Sequence, residues 1–203
     1  MIVIVDYKVG NLGSIYNMLK KIGVKSEMTS DKDKISLASK LILPGVGSYD
    51  TGMKNLTELG LIELLNKKIL EDKVPVLGIC LGMQLMTSQS EEGSLSGLGW
   101  IKGCAKRFNF ERESGLKVPH IGWNFVVQQK ESKLLFEMYD EPRNYFVHSY
   151  FIELEEENDI LTKTSYGNEF CSSLEKENIY GVQFHPEKSH RYGMRLLRNF
   201  SDI

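Results

Sequence analysis

A cysteine between two glycines is the first candidate for chemistry in this sequence. The segment Gly78-Ile79-Cys80-Leu81-Gly82 separates an apolar run from an amphipathic stretch. Glycines in this setting permit the tight strand-to-helix turn of a nucleophile elbow, which lifts the middle side chain clear of a sheet. Cys80 would then lie at a helix N-terminus, where the helix dipole favours a thiolate and the Leu81 amide could stabilise an oxyanion. A buried structural cysteine is the alternative interpretation.

A histidine and a glutamate two residues apart could complete a catalytic triad. They lie in Gln183-Phe184-His185-Pro186-Glu187, at the end of the last apolar run. In extended backbone, residues i and i+2 share a face, and Pro186 would hold the chain extended, so Glu187 could orient His185. His185 would act as a base toward Cys80. A structural His–Glu pair is the commoner arrangement for such a motif alone, but the cysteine elbow favours catalysis.

A glycine-rich segment, 44–50, follows a short apolar run at 40–43. Such a segment would lie at the carboxyl edge of a parallel sheet, where ligands bind, and its amides can bind an anion. We interpret it as an oxyanion strand, with an ordinary strand-to-helix turn as the alternative. The segment 10–13 lacks both the P-loop lysine and a G-x-G-x-x-G pattern, so nucleotide binding has little support.

Hydrophobic patterning predicts the elements that position these segments. Short apolar runs at 2–5, 41–43 and 74–79 alternate with helical spacing at 12–22 and 81–87, as in βαβ units with parallel strands buried on both faces. From about Gly97 the pattern predicts mixed or antiparallel strands at 100–101, 118–127 and 145–154, then a last strand at 179–184 and a helix at 191–200. The predicted fold is α/β, with a mostly parallel central sheet flanked by helices and extra antiparallel strands in the second half.

Composition limits the classes of function. The 203 residues, 41% of them hydrophobic, can bury one sizeable core, and without a linker or repeat we predict one domain over 1–203. A net charge of -2 gives no indication of nucleic-acid binding. The three cysteines include no CxxC pair, so we expect no disulfide framework or zinc site, and we take Cys104 and Cys171 as structural thiols. With no signal peptide or membrane-spanning run, we expect a cytoplasmic protein.

These segments together resemble the class I, or triad, glutamine amidotransferases over essentially the whole chain. The matching segments are 6–7, 10–12, 44–47, 78–85, 90–93, 119–124, 145–150 and 181–189. Related glutaminases of vitamin B6, GMP and carbamoyl phosphate synthesis share the elbow and His-Pro-Glu, but differ at 44–50 and 119–124. The branch that serves imidazole glycerol phosphate synthase, a lyase of histidine biosynthesis, is the most similar.

The resemblance implies a glutaminase that needs no metal or organic cofactor. It implies Cys80 as nucleophile, His185 as base and then acid, and Glu187 as the residue that orients His185. The oxyanion would be held by the amides of Val46 and Leu81. Glutamine would be bound by the residues that match the family's substrate positions, which are Gly45, Gly47, Gln84, Ser149 and Tyr150. We expect His148 to support its strand and His120 to lie near the partner surface.

The resemblance also implies a heterodimer in which ammonia passes to a (β/α)8-barrel synthase or cyclase subunit. Some positions depart from the histidine-pathway branch: Lys8 replaces a usual glycine, and Gly13 a usual basic residue near the synthase interface. Trp100 and segment 189–194 look more like a paralogous branch that supplies ammonia to a sugar amidotransferase in bacterial surface-polysaccharide synthesis. Both pathways stay open here, and on these departures we expect weak complementation of a histidine auxotroph.

Two other classes of protein remain as alternatives. A cysteine peptidase or γ-glutamyl hydrolase could use the same elbow, but the matches at 44–50 and at Ser149 and Tyr150 favour free glutamine as substrate. A non-enzymatic regulatory subunit is expected to have lost a member of the triad, whereas Cys80, His185 and Glu187 are all present. The sequence leaves open the acceptor, the identity of the partner and the activity of the free subunit.

Overall fold

The computed structural model describes the backbone of residues 1–203 and every side chain except that of Arg112. The α-helices are α1 (Leu12–Lys21), α2 (Lys32–Ser36), α3 (Tyr49–Glu58), α4 (Ile62–Asn66), α5 (Leu81–Leu85) and α6 (His190–Asp202). The strands are β1 (Ile2–Val5), β2 (Ser26–Thr29), β3 (Lys40–Leu43), β4 (Val76–Ile79), β5 (Gln89–Ser90), β6 (Gly103–Arg107), β7 (His120–Phe125), β8 (Val127–Gln128), β9 (Arg143–His148), β10 (Tyr150–Leu154), β11 (Ile160–Tyr166), β12 (Asn168–Lys176) and β13 (Ile179–Val182).

An eleven-stranded sheet runs through the molecule in the order β2-β1-β3-β4-β13-β12-β10-β6-β5, with β11 and β8 attached to β12. The strands from β2 to β13 along this path are parallel to their neighbours. Beyond β13 the pairing becomes antiparallel, through β12, β10 and β6. Strands β7 and β9 form a separate antiparallel pair. The predicted α/β fold, a mostly parallel sheet with antiparallel strands in the second half, is confirmed.

Helices cover both faces of the parallel strands because those strands are apolar on both faces. Every residue of β1, β4 and β13 is buried. One apolar cluster packs α3 and α4 against one face of the sheet, and a second packs α1 and α6 against the other. The central strands β4 and β13 lie side by side, with Ile79 of β4 paired to Val182 of β13. The segments that follow these two strands therefore emerge together at one edge of the sheet.

Two details of the predicted elements are corrected. The predicted strand at Trp100 and Ile101 is wrong: both residues lie in a bend just before β6, and both are buried. Trp100 is held there because its indole N–H donates to Asn66 Oδ1 at 2.7 Å. The apolar character of the two residues reflects their burial. A run of two residues is too short to contain the alternation of apolar and polar positions that identifies a strand. The helix after Cys80 is also shorter than predicted and ends at Leu85.

Candidate active site

Cys80 lies in the sharp turn between β4 and α5 with left-handed backbone torsions, φ 52° and ψ -108°. An L-residue is strained in this region, and such strain is typical of a nucleophile elbow. The flanking glycines are required by close packing. A β-carbon on Gly82 would collide with the carbonyl oxygen of Leu43, and one on Gly78 would lie 2.7 Å from the Met83 amide nitrogen. The predicted elbow is confirmed as a local structure.

The elbow is tied to the strand that leads to the candidate base. The Cys80 amide donates to the Val182 carbonyl at 2.8 Å, at the end of β13. Past that point, the amide of His185 donates to the Tyr145 carbonyl of β9 at 2.9 Å. The Ser189 hydroxyl donates to the His185 carbonyl at 2.7 Å. His185 is therefore fixed by its own backbone on both sides.

His185 and Glu187 form the predicted pair, although the backbone between them differs from the prediction. His185 Nδ1 lies 2.7 Å from Glu187 Oε1, and both side chains are almost fully buried. The extended backbone predicted over Glu187 is wrong, because Pro186–Lys188 form a 3-10 turn. Proline suits the first position of such a turn, where its missing N–H leaves no bond unmade and its fixed φ fits. The turn brings the carboxylate back onto the imidazole.

The protonation of His185 depends on its two polar neighbours. Burial by itself lowers the pKa of His185, but its interactions with Cys80 and Glu187 outweigh burial and raise the pKa to about 10. His185 Nε2 is buried without a formed hydrogen bond to any group that the structure describes. Its approach to the Cys80 sulfur is therefore looser than ordinary hydrogen-bond geometry, as is common in ligand-free active sites. These interactions favour a protonated imidazole.

A pocket of about 240 Å³ opens over Cys80 and His185. Its other lining residues are Val46, Gly47, Leu81, Gln84, Glu92, Pro119, Val147, His148, Ser149 and Tyr150. The fold thus brings together at one cavity the predicted nucleophile, the base, both predicted oxyanion residues and four of the five predicted glutamine-binding residues. Glu187 lies behind His185, outside the lining.

Gly45, the fifth predicted glutamine-binding residue, does not line this pocket. It packs against the start of α5 instead, where a β-carbon would lie 2.6 Å from Leu81 Cβ and 2.9 Å from the Tyr7 hydroxyl. That hydroxyl donates to the carbonyl of Pro44. Burial, together with the nearby Cys80, raises the pKa of Tyr7. Tyr7 thus stays a hydrogen-bond donor and holds the glycine-rich segment against the elbow.

The two other buried histidines form a neutral chain beside the pocket. His148 Nδ1 lies 2.8 Å from the Tyr150 carbonyl, and His148 Nε2 lies 3.0 Å from His120 Nδ1. Burial lowers the pKa of His148 to about 3 and that of His120 to about 4. Because a carbonyl only accepts, His148 Nδ1 donates, and its Nε2 accepts the proton of His120 Nδ1. These hydrogen bonds agree with the supporting role predicted for His148.

Three pocket or near-pocket residues were missed by the sequence interpretation. Glu92 lines the cavity and accepts a hydrogen bond from the Tyr49 amide at 2.9 Å. Gln183 donates to the Cys80 sulfur at 3.6 Å, and Tyr7 anchors Pro44. The sequence signal for Gln183 is its position two residues before His185 in the run predicted to be extended, although the structure bends the chain at Gln183 and Phe184. Glu92 lies in the family-matching segment 90–93, but no secondary-structure pattern there indicates that its side chain reaches the pocket.

Lys8 keeps the backbone that a glycine would adopt. Its φ is 65°, in the left-handed region, and its side chain is exposed. The departure at this position therefore changes the side chain while leaving the local path of the chain intact. At the second departure, Gly13, a β-carbon would meet only Asn11 Oδ1, at 3.8 Å, so the site has room for a side chain.

No helix in the described part of the chain is long and apolar enough to cross a membrane. The same residues contain no group of three or more histidine, cysteine or acidic side chains arranged to hold a metal ion.

Comparison with known families bears directly on this geometry. The sequence model described as glutamine amidotransferase class-I matches residues 3–203. The chain belongs to that family. A structure described as a glutamine amidotransferase superposes with a TM-score of 0.72 at 18% identity, covering 99% of both chains, and supports the fold assigned to this amidotransferase.

Curated relatives are more similar in sequence. Imidazole glycerol phosphate synthase subunit HisH 2 of Methanococcus maripaludis is 55% identical over 98% of both chains. Imidazole glycerol phosphate synthase subunit HisH of Leptospira interrogans is 46% identical over 100% of both chains. Family membership makes this amidotransferase an enzyme that acts on glutamine, and it does not favour the peptidase or the regulatory alternative. The names of the relatives likewise do not favour the sugar amidotransferase pathway suggested by Gly13, Trp100 and segment 189–194.

Proposed function

We propose that this chain is the glutaminase subunit of imidazole glycerol phosphate synthase, and that it passes ammonia to a separate synthase subunit. The observation that carries the proposal is the strained Cys80 elbow facing a His185–Glu187 pair across one pocket. This is the geometry that a nucleophile, a base and an orienting carboxylate require. The choice of imidazole glycerol phosphate synthase as the enzyme rests on the curated relatives, which are described as subunits of that synthase. Because Cys80, Cys104 and Cys171 are all free thiols, we place the protein in the reducing cytoplasm.

The first half of the reaction forms a thioester. The Cys80 thiolate attacks the side-chain carbonyl carbon of glutamine, and the carbonyl oxygen takes the negative charge. The amides of Leu81 and Val46 hold that oxyanion. His185 gives its Nε2 proton to the leaving nitrogen, the carbon–nitrogen bond breaks, and ammonia departs. A γ-glutamyl thioester remains on Cys80.

The second half regenerates the thiolate. The now neutral His185 accepts a proton from a water molecule at Nε2, and the resulting hydroxide equivalent attacks the thioester carbon. The carbon–sulfur bond breaks, glutamate leaves, and Cys80 returns as a thiolate beside protonated His185. Glu187 compensates the charge on the imidazole through its contact with Nδ1. No metal or organic cofactor takes part in this scheme.

Glutamine recognition follows from the polar groups that line the pocket. Gly47, Ser149 and Tyr150 bring backbone and hydroxyl groups to the cavity, which suit an α-carboxylate and a carboxamide. Glu92 is an acidic side chain of the lining and complements the α-ammonium group of the substrate. Gln84 contributes its carboxamide oxygen. Gly45 acts indirectly, by allowing the oxyanion segment to pack against α5.

The partner surface is proposed on strand β7. Ile121, Trp123 and Phe125 alternate along it with inward-facing residues, and each exposes 42% or more of its surface. Large apolar side chains grouped in this way are typical of protein interfaces. Strand β7 is next to the pocket. Pro119, which precedes β7, lines the cavity, and so does His148, which ends β9 and is paired to His120 of β7. A (β/α)8-barrel subunit docked there would cover the exit for ammonia.

We expect the chain to form a tight heterodimer with the barrel cyclase subunit of imidazole glycerol phosphate synthase and to restore growth of a histidine auxotroph that lacks the glutaminase subunit. Trp123→Ala should weaken that heterodimer by roughly 10- to 100-fold, since a buried aromatic anchor contributes strongly to an interface. Titration calorimetry with the purified cyclase measures the affinity. Growth without added histidine measures the pathway.

The control is Leu37→Ala, which removes an apolar side chain that follows α2 and is more exposed than Trp123, at 85% against 42%. It should leave both affinity and growth unchanged. The assignment to this synthase would be contradicted if the chain hydrolyses glutamine but neither binds the cyclase nor supports growth. That result would favour the sugar amidotransferase pathway instead.

We also expect the isolated subunit to hydrolyse glutamine slowly and to accelerate when the synthase subunit and its acceptor are bound. The segment Gly45-Val46-Gly47 can change conformation at low cost, because it carries two glycines and because Gly47 already has φ 135°. Turnover of glutamine is compared for the free subunit, the heterodimer, and the heterodimer with acceptor. Equal rates in all three states would rule out this gating. Gly47→Ala should reduce the acceleration, because alanine rarely adopts that φ.

A further inference from the structure

The nucleophile has a second polar neighbour besides His185. The Gln183 side chain is fully buried, and its Nε2 donates to the Cys80 sulfur at 3.6 Å. A carboxamide without access to water must use its hydrogen-bonding groups on protein partners. An amide N–H directed at sulfur is a weak bond when the sulfur is a neutral thiol and a charge-assisted bond when it is a thiolate. The contact therefore bears on the ionisation of the nucleophile.

The direction of this hydrogen bond is fixed by a backbone carbonyl two side chains away. Gln84 Nε2 lies 3.1 Å from the Tyr150 carbonyl oxygen, and because a carbonyl only accepts, Gln84 must present its NH2 group there. The same Gln84 Nε2 lies 3.1 Å from Gln183 Oε1. Gln183 must therefore present its oxygen to Gln84 and its NH2 group to Cys80. His148 donates to the same Tyr150 carbonyl, so this carbonyl accepts hydrogen bonds from both Gln84 and His148.

We infer that Gln183 is a second donor to the Cys80 thiolate, held in the required orientation by Gln84 and the Tyr150 carbonyl, and that it keeps the nucleophile ionised before glutamine binds. This inference rests on the proposed role of Cys80 as nucleophile. His185 and Gln183 approach the sulfur from the same segment of chain, at positions two residues apart. His185 changes its charge during the reaction, whereas the amide of Gln183 does not. Gln183 thus stabilises the thiolate both at the start and when the thioester breaks.

The same series of hydrogen bonds determines which atom of Gln84 is free to bind a ligand. Both of its N–H groups are used within the protein, on Tyr150 and on Gln183. Its Oε1 receives no hydrogen bond from the described residues, and because Gln84 lines the pocket, this oxygen is left as an acceptor for the substrate. Gln84 therefore recognises a donor group of glutamine, and Gln183 sets which group Gln84 offers.

Other ionisable groups around Cys80 must be separated from the effect of Gln183. They are His185 after β13, Tyr7 after β1 and, at the edge of the pocket, Glu92. Glu187 acts on the sulfur only through His185. Variants of Gln183 leave all four residues in place, so a change in the pH profile of Cys80 reports on Gln183.

The test is the pH dependence of alkylation of Cys80 by iodoacetamide in the full-length chain, followed by mass spectrometry of the peptide that carries it. Gln183→Met keeps the length of the side chain and removes the donor, and it should move the midpoint of alkylation upward by about one pH unit, a tenfold loss of thiolate below the midpoint. Gln183→Glu places a carboxylate beside the sulfur and should move the midpoint further in the same direction. Steady-state kcat should fall in the same order.

The matched control is Thr162→Val, which removes a buried hydroxyl that bonds Ser172 and Ser173 and makes no hydrogen bond with Cys80 or Gln183. It should lower thermal stability without moving the midpoint. Unchanged midpoints in both Gln183 variants, in protein that hydrolyses glutamine through Cys80, would overturn the inference and leave the proposed function standing. If the wild-type chain does not hydrolyse glutamine at all, even with its synthase subunit bound, the proposed function itself fails; hydrolysis that persists after Cys80 is fully alkylated would instead remove Cys80 as the nucleophile, and the inference with it.

Discussion

Replacing Cys80 with alanine is expected to reduce glutamine hydrolysis by on the order of 10⁴-fold or more, because thioester formation loses its nucleophile and the pocket keeps only its binding groups. The change removes one sulfur atom at a position that is 8% exposed, so it leaves little new cavity. Alanine also retains the strained backbone of the turn. We therefore expect an unchanged melting temperature and undiminished binding of the synthase subunit. Release of glutamate from glutamine, measured in the heterodimer, gives the rate.

Cys171→Ala is the matched control for this prediction. Cys171 is also a buried free thiol, and its Sγ donates to the Ser173 carbonyl at 3.2 Å. Burial raises the pKa of Cys171 to about 12, which keeps it a neutral thiol and a poor nucleophile. The control should hydrolyse glutamine at the wild-type rate. Equal losses in the two variants would indicate a structural role for Cys80, and retained activity in Cys80→Ala would exclude it as the nucleophile.

The part of this site that sequence could predict is the part encoded by local rules. Gly78 and Gly82 predict the elbow because no other residue fits against the neighbouring backbone, and the structure has both contacts. The apolar run before Cys80 predicts a buried parallel strand, which β4 is. The position of the glycine-rich segment after β3 predicts its place at the carboxyl edge of the sheet. In each of these cases the cause lies within a few residues of its effect.

The parts that sequence could not predict depend on contacts between distant segments. Gly45 packs against Tyr7 and Leu81, from two other elements, and so supports the oxyanion segment without lining the pocket. Glu92 reaches the cavity from a loop and is held by the Tyr49 amide, 43 residues away in the chain. The wrong prediction of extended backbone at Glu187 has a different origin. Pro186 is compatible with both an extended chain and the start of a 3-10 turn, and only tertiary contacts decide between them.

The polarity of the buried amides is a further property that only the assembled fold determines. A glutamine side chain can present either its oxygen or its NH2 group to a neighbour, and the sequence contains no preference. In this protein the Tyr150 carbonyl makes the choice for Gln84, Gln84 makes it for Gln183, and Gln183 then offers a donor to Cys80. A backbone carbonyl on β10 thereby influences a nucleophile that follows β4.

His185→Ala should reduce glutamine hydrolysis about as severely as Cys80→Ala, and the double variant should be little worse than either single variant. Both residues serve one step: without His185 the leaving nitrogen gets no proton, and without Cys80 there is no tetrahedral adduct from which that proton could release ammonia. Residues that act as a unit have strongly non-additive losses, so the summed single effects should exceed the double effect by several kcal/mol. The four rates of the cycle are measured in the heterodimer at saturating glutamine.

A second cycle provides the control, with Cys171→Ala in place of Cys80→Ala. Because Cys171 hydrogen-bonds within its own strand and does not contact His185, the losses in that cycle should add. Additive losses for Cys80 and His185 would instead mean that the two residues contribute to separate steps. The imidazole would then orient the substrate, and the proton for ammonia would have to come from another group in the pocket.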